Sequence, residues 1–135
     1  MNKYLLPICA LLAAITVLLG ALGAHTLKSI LQPNQLISFE TAVRYQFLHV
    51  LALLITGILR FYYTNVSFRW VIRLFGWGIV LFSGSIYLII FCQHQLIELP
   101  RWLFLLTPLG GVCLTSGWVV MAVTLYKRIS QKVEN

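Results

Sequence analysis

The residues best suited to chemistry lie together inside one apolar run. Gln46 and His49, with Tyr45 beside them, interrupt a stretch otherwise built mainly of Val, Leu, Phe and Ala. Wound as a helix, Ala42, Gln46, His49, Leu53, Thr56 and Arg60 fall on one stripe of about 80°. An imidazole placed there could relay a proton, hold a ligand head group or ligate a metal. The same side chains also serve plain packing. In an apolar setting Gln46 and His49 would hydrogen-bond Ser83, Tyr87 or a neighbouring carbonyl, each contact contributing about 0.6 kcal/mol. Packing is the simpler expectation, and a functional polar site the sharper one.

The remaining candidates are sparse. His25 lies at the end of the first apolar run, and with His49 and Glu40 it would make a His-His-carboxylate set. That set lacks the short ligand spacing of a metal site, and Glu40 has Arg44 four residues on as a partner, so no metal is expected. His94, between Gln93 and Gln95, reads as a solvated link residue. Cys9, Cys92 and Cys113 show no paired spacing and read as apolar fillers. The chain contains no Asp, and its acids are Glu40, Glu98 and Glu134 alone. Neither a Ser-His-Asp set nor a carboxylate pair can be assembled, and neither Ser83-Gly84-Ser85 nor Gly110-Gly111 has phosphate-loop spacing. No catalytic residue and no cofactor is expected.

The elements that carry these residues follow from composition. Of 135 residues, 60% are apolar and 10% charged, against about 25% charged in a soluble domain. So few charges cannot cover a water-facing surface; a bilayer removes that requirement. Apolar stretches at 4–24, 43–59, 75–92 and 102–126 are separated by polar links. A helix needs about 17–25 residues to cross roughly 30 Å of hydrocarbon, and each stretch falls in that range. Runs of this kind cannot close a barrel. The expectation is therefore an all-α, polytopic membrane protein: one domain over 1–135, a four-helix transmembrane bundle with a polar tail at 127–135 that frays.

The first stretch could be mistaken for a signal peptide, with Lys3 before it and Ala21-Leu22-Gly23 near its end. It is longer than the usual 7–15 residue apolar region, so a retained helix is expected. The net charge of +7 is distributed by side. Lys3, Arg60, Arg69, Arg73, Lys127, Arg128 and Lys132 gather on one side, and Lys28, Arg44 and Arg101 on the other. The positive-inside rule then places both termini in the cytoplasm, with Trp70, Trp102 and Tyr126 as interfacial anchors. Cations at the ends of apolar runs suit membrane topology rather than nucleic acid. Membrane lipid is the expected partner, with a second copy or another membrane protein as protein partners.

Finer features follow from local signals. Pro33-Asn34 marks a turn, and Ser38 with Glu40 reads as the cap and first-turn acid of the second helix. The partly apolar link between Thr26 and Glu40 would lie in the interface. Small or polar stripes recur on the other helices: Cys9, Ala13, Thr16, Gly20 and Gly23; then Gly76, Val80, Ser83 and Tyr87; then Thr107, Gly110, Leu114, Gly117 and Met121. Such stripes let helices approach closely in lipid. Pro108 either kinks the fourth helix, the favoured reading, or sits at its start behind an N-cap Thr107.

Several of these positions form recognisable blocks. Gly20-Ala-Leu-Gly-Ala-His25 and Phe39-Glu-Thr-Ala-Val-Arg-Tyr-Gln-Phe-Leu-His49-Val-Leu-Ala-Leu-Leu54 resemble the opening half of the YgdD/YwdK family of small bacterial membrane proteins. Phe82-Ser-Gly-Ser-Ile-Tyr87, Thr107-Pro-Leu-Gly-Gly111 and Ser116-Gly-Trp118 resemble its later motifs, so the likeness runs in order from about Gly20 to Trp118. The resemblance implies a four-helix protein of the bacterial inner (plasma) membrane and supplies no reaction. It also implies a shared inner face at His25, Gln46, His49, Ser83, Tyr87 and Thr107. The leading functional expectation is an accessory or lipid- or small-ligand-binding bundle. The alternatives are a small oligomeric transporter or proton-linked channel, and a membrane enzyme using His25 and His49.

Overall fold

The computed structural model describes residues 4–63 and 66–133, with side chains described as far as Ser130. Lys3, the side chain of Lys132 and Glu134 lie outside that description. Among the described residues every regular element is helical. They comprise α1 (Leu5–Ala24), α2 (Pro33–Tyr62), α3 (Arg69–Ile79), α4 (Ser85–His94) and α5 (Leu106–Val133). A π-helical turn, Val80–Gly84, joins α3 to α4, and short 3₁₀ turns at Leu27–Ser29 and Arg101–Leu105 precede α2 and α5. Since α3 and α4 form one continuous rod, four helices are long and apolar enough to cross a membrane.

The first two helices run antiparallel in close register. A Cβ on Gly23 would lie 3.1 Å from the Phe39 ring, Thr16 meets Gln46, and Gly57 faces Leu6. The stripe expected on α1 is therefore its packing face, with Cys9, Thr16 and Gly23 buried. The α5 stripe is likewise turned inward: Gly110, Leu114, Gly117 and Met121 are all buried. A Cβ on Gly110 would meet the backbone of Phe82, 2.7 Å from its Cα, so the bare glycine lets α5 lie against the π turn. The core between α2, α3 and α5 is filled by Val50, Leu53, Phe75 and Leu114, with Phe68 entering from the link.

Five expectations need correction. The second helix starts at Pro33, not near Val43, because Pro33 takes the first helical position and the Gln35 side chain accepts a hydrogen bond from the Gln32 N–H at 3.1 Å. Ser38 is therefore no cap; its hydroxyl donates to the Asn34 carbonyl one turn back. Pro108 does not kink a helix, since α5 begins at Leu106 and leaves it in the first turn, where its missing N–H has no partner to lose. The stripe Gly76–Val80–Ser83–Tyr87 is not a single face: Val80 is 58% exposed and Ser83 buried. The π turn places an extra residue between them and rotates the later side chains. Finally, α5 carries the tail as helix through Val133.

Candidate functional site

The α2 stripe faces inward, with Ala42, Gln46, His49, Leu53 and Thr56 all buried. What each polar member meets decides its chemistry. The Gln46 amide Nε2 donates to the Thr16 hydroxyl at 2.7 Å, and that hydroxyl donates in turn to the Leu12 carbonyl at 2.6 Å. His49 is held at both ring nitrogens: Nδ1 lies 2.7 Å from the Tyr45 carbonyl, and the Trp118 indole Nε1 donates to Nε2 at 3.1 Å. An indole N–H only donates, so Nε2 must accept, and the ring proton must sit on Nδ1, facing the carbonyl. His49 is thereby fixed as a neutral imidazole of one tautomer. Its ring packs in an aromatic cluster, 5.6 Å from Phe75 and 6.0 Å from Tyr45 between centroids. Phe75 and Trp118 close that cluster edge to face at 5.2 Å.

A second polar group lies around the π turn. The Ser83 hydroxyl donates to the Ala42 carbonyl at 2.8 Å, tying this rod to α2. Ser85 donates to the Phe82 carbonyl at 3.0 Å and lies 2.7 Å from the Thr107 hydroxyl. With its single proton spent on Phe82, Ser85 accepts from Thr107, which joins the rod to the start of α5. Tyr87 lies on the same side of the bundle, its ring 5.3 Å from Phe39 and its hydroxyl buried without a partner among the described residues.

Of the residues singled out by sequence, Gln46, His49, Ser83, Tyr87 and Thr107 thus reach the interior of the bundle. His25 does not join them: it is exposed and caps the end of α1. Gly23 meets Phe39, which is ten residues before His49 on α2, an axial separation of about 15 Å. The partners also differ from expectation, since Gln46 takes Thr16, and His49 takes Trp118 and its own helix. Thr16 lies on the inward stripe expected of α1, whereas Trp118 and Ser85 join the polar interior without having been singled out as site candidates. Both leave a trace in sequence, Trp118 as the last residue of the Ser116-Gly-Trp118 block and Ser85 within Phe82-Ser-Gly-Ser-Ile-Tyr87. No group of three or more His, Cys or Glu is placed to hold a metal ion among the described residues.

The chain has relatives. The family described as a protein of unknown function, DUF423, matches residues 19–111, which include the α1 packing glycines, the α2 polar stripe and the π turn. The chain belongs to the DUF423 family. A UPF0382 membrane protein of Staphylococcus saprophyticus is 36% identical over 125 residues, covering 93% of this chain and 98% of its own length. One of Staphylococcus aureus is 34% identical over 93% of this chain and 97% of its own length. The UPF0382 inner membrane protein YgdD of Escherichia coli K12 is 34% identical over 90% of this chain and 88% of its own length. No solved structure matches the chain. The DUF423 chain is thus an integral membrane protein with four helices able to span the bilayer, and its family supplies no reaction.

Among the described residues, grooves mark the outer surface of the bundle. One, between α1 and α2, is bordered by Gly20, Gly23, Glu40 and Arg44. A second, between the start of α2 and α4, is bordered by Gln35, Ile90, Gln93 and Phe104, and there the Gln35 amide donates to the Gln93 side chain at 3.2 Å. The third lies between α1 and α3 at the opposite end of the bundle, with Arg73 at its rim.

Proposed function

We propose that this protein is a non-catalytic accessory bundle of the bacterial inner membrane, holding lipid or a partner membrane protein against its outer surface and carrying nothing through its centre. Both termini face the cytoplasm. The observation that carries the reading is the pairing of His49, whose two ring nitrogens are engaged by Tyr45 and Trp118 inside an aromatic cluster. A proton could join Nε2 only at the cost of the indole bond, so the ring suits packing better than a relay. Gln46, Ser83 and Thr107 likewise spend their donors on neighbouring helices or carbonyls. The transporter and enzyme readings lack comparable support, since His25 and His49 stand apart. The orientation rests on charge: Arg60, Arg69, Arg73, Lys127 and Arg128 share one end of the bundle, while Lys28, Arg44 and Arg101 are at the other.

The test compares wild type and His49→Ala in proteoliposomes. Proton leak through wild-type vesicles should equal that of protein-free lipid. His49→Ala should lower the melting temperature, with a loss of about 2 kcal/mol from the orphaned indole and the cavity. A wild-type flux that vanishes in a His49→Ala protein of unchanged melting temperature would overturn the reading.

A further inference from the structure

The groove between α1 and α3 differs from the others in the charge at its rim. α1 leans on α2 and hardly touches α3, which leaves a furrow of about 380 Å³ between them. Its walls run from Leu5 to Leu12 on α1 and from Ile72 on α3 to Val80 at the start of the π turn, with Leu53 of α2 behind them. Seven residues of helix rise about 10 Å, most of one leaflet's hydrocarbon depth. Gly76 contributes no side chain, and a Cβ there would have nothing within 4 Å. Below the rim the lining is aliphatic and aromatic, so the furrow opens to lipid tails. At the rim, the guanidinium of Arg73 lies 5.3 Å over the exposed Trp70 ring, a position that steadies the group and leaves its N–H edge available.

The surrounding charge selects among lipids. Arg60, Arg69, Arg73, Lys127 and Arg128 gather at this end, whereas the described acids, Glu40 and Glu98, belong to the other end. No carboxylate among the described residues balances this rim. A second copy docked here would bring two basic rims together, and a zwitterionic headgroup would bring its own cation. We propose that the furrow is a binding site for an anionic phospholipid, an acyl chain lying between α1 and α3 over Gly76 and the phosphate engaged by Arg73. A planar guanidinium suits a phosphate oxygen pair, and a cation at a membrane surface favours anionic over neutral lipid. This site rests on the reading of the protein as a bundle that works through its outer surface, and it deepens that reading by naming the lipid class.

Native mass spectrometry of the full chain, loaded with equal amounts of phosphatidylglycerol and phosphatidylethanolamine, tests it. Wild type should retain phosphatidylglycerol about fivefold over the neutral lipid. Arg73→Gln should abolish that preference, while Arg69→Gln, the same loss of charge outside the furrow, should keep it. Gly76→Leu should fill the furrow and reduce retention of both lipids at an unchanged melting temperature. If Gly76→Leu proves unstable, the two arginine variants decide alone. Equal retention of both lipids by wild type, or equal losses in Arg69→Gln and Arg73→Gln, would overturn the site. So would a lipid-free dimer dispersed by Gly76→Leu, which would give the furrow to a second copy. None of these results depends on flux, so the site can fail while the non-conducting reading stands.

Discussion

At the scale of single residues, the interior is organised by donors finding acceptors on another helix. Trp118→Phe keeps the ring against Phe75 and removes only the indole N–H that meets His49. A loss of about 1 kcal/mol is expected in reversible unfolding in detergent, and no change would mean that the bond contributes nothing. For Gln46 and Thr16, a double-mutant cycle with Gln46→Leu and Thr16→Val should return a coupling of about 0.6–1.7 kcal/mol; a value near zero would make their contact incidental. The sequence already displays the α2 side of this network. Polar side chains at helical spacing in an apolar run must turn inward, and Gln46, His49 and Thr56 do so. It does not display their partners. Trp118 lies 69 positions beyond His49, and Thr16 lies 30 before Gln46. Only the packing of whole helices decides which distant groups coincide. His25 differs because a histidine at a helix end resembles one inside it when depth is judged from spacing alone.

Among the elements, the differences arise at boundaries. Hydropathy senses the portion of a helix that crosses hydrocarbon, so α2 reads as a shorter segment, while Pro33 and the Gln32–Gln35 bond start it ten residues earlier in the interface. The π turn leaves no mark in a periodic pattern and therefore displaced the stripe expected on the third span. Gly110→Ala places a methyl against the Phe82 backbone in that turn. It should cost about 1–3 kcal/mol by forcing α5 away, and a melting temperature equal to wild type would show that the turn yields freely. The end of α4 makes a further case. The Leu96 N–H bonds the Gln93 carbonyl at 3.2 Å and the Ile97 N–H bonds the Cys92 carbonyl at 2.9 Å, a Schellman closure. Leu96 occupies its left-handed position at φ 56°, where glycine is favoured. Leu96→Gly should therefore stabilise the protein by about 1 kcal/mol, as read by thermal melting; a loss would mean that this exposed side chain is anchored in its surroundings.

For the molecule as a whole, composition already specified the fold, because thirteen charges cannot solvate 135 residues and four apolar runs have the length to cross lipid. Its grooves could not be read in this way, since each arises where two helices diverge. The account at this scale is a bundle sealed at its centre by paired polar groups and open to lipid along its flanks. His49 reports on that seal. Nitrogen-15 NMR of the protein in lipid bilayers at neutral pH should show the ring proton on Nδ1, and an unprotonated Nε2 coupled through a hydrogen bond to the Trp118 indole. A proton on Nε2 exchanging with water would contradict the account, because it would place solvent where the bundle is held to be closed.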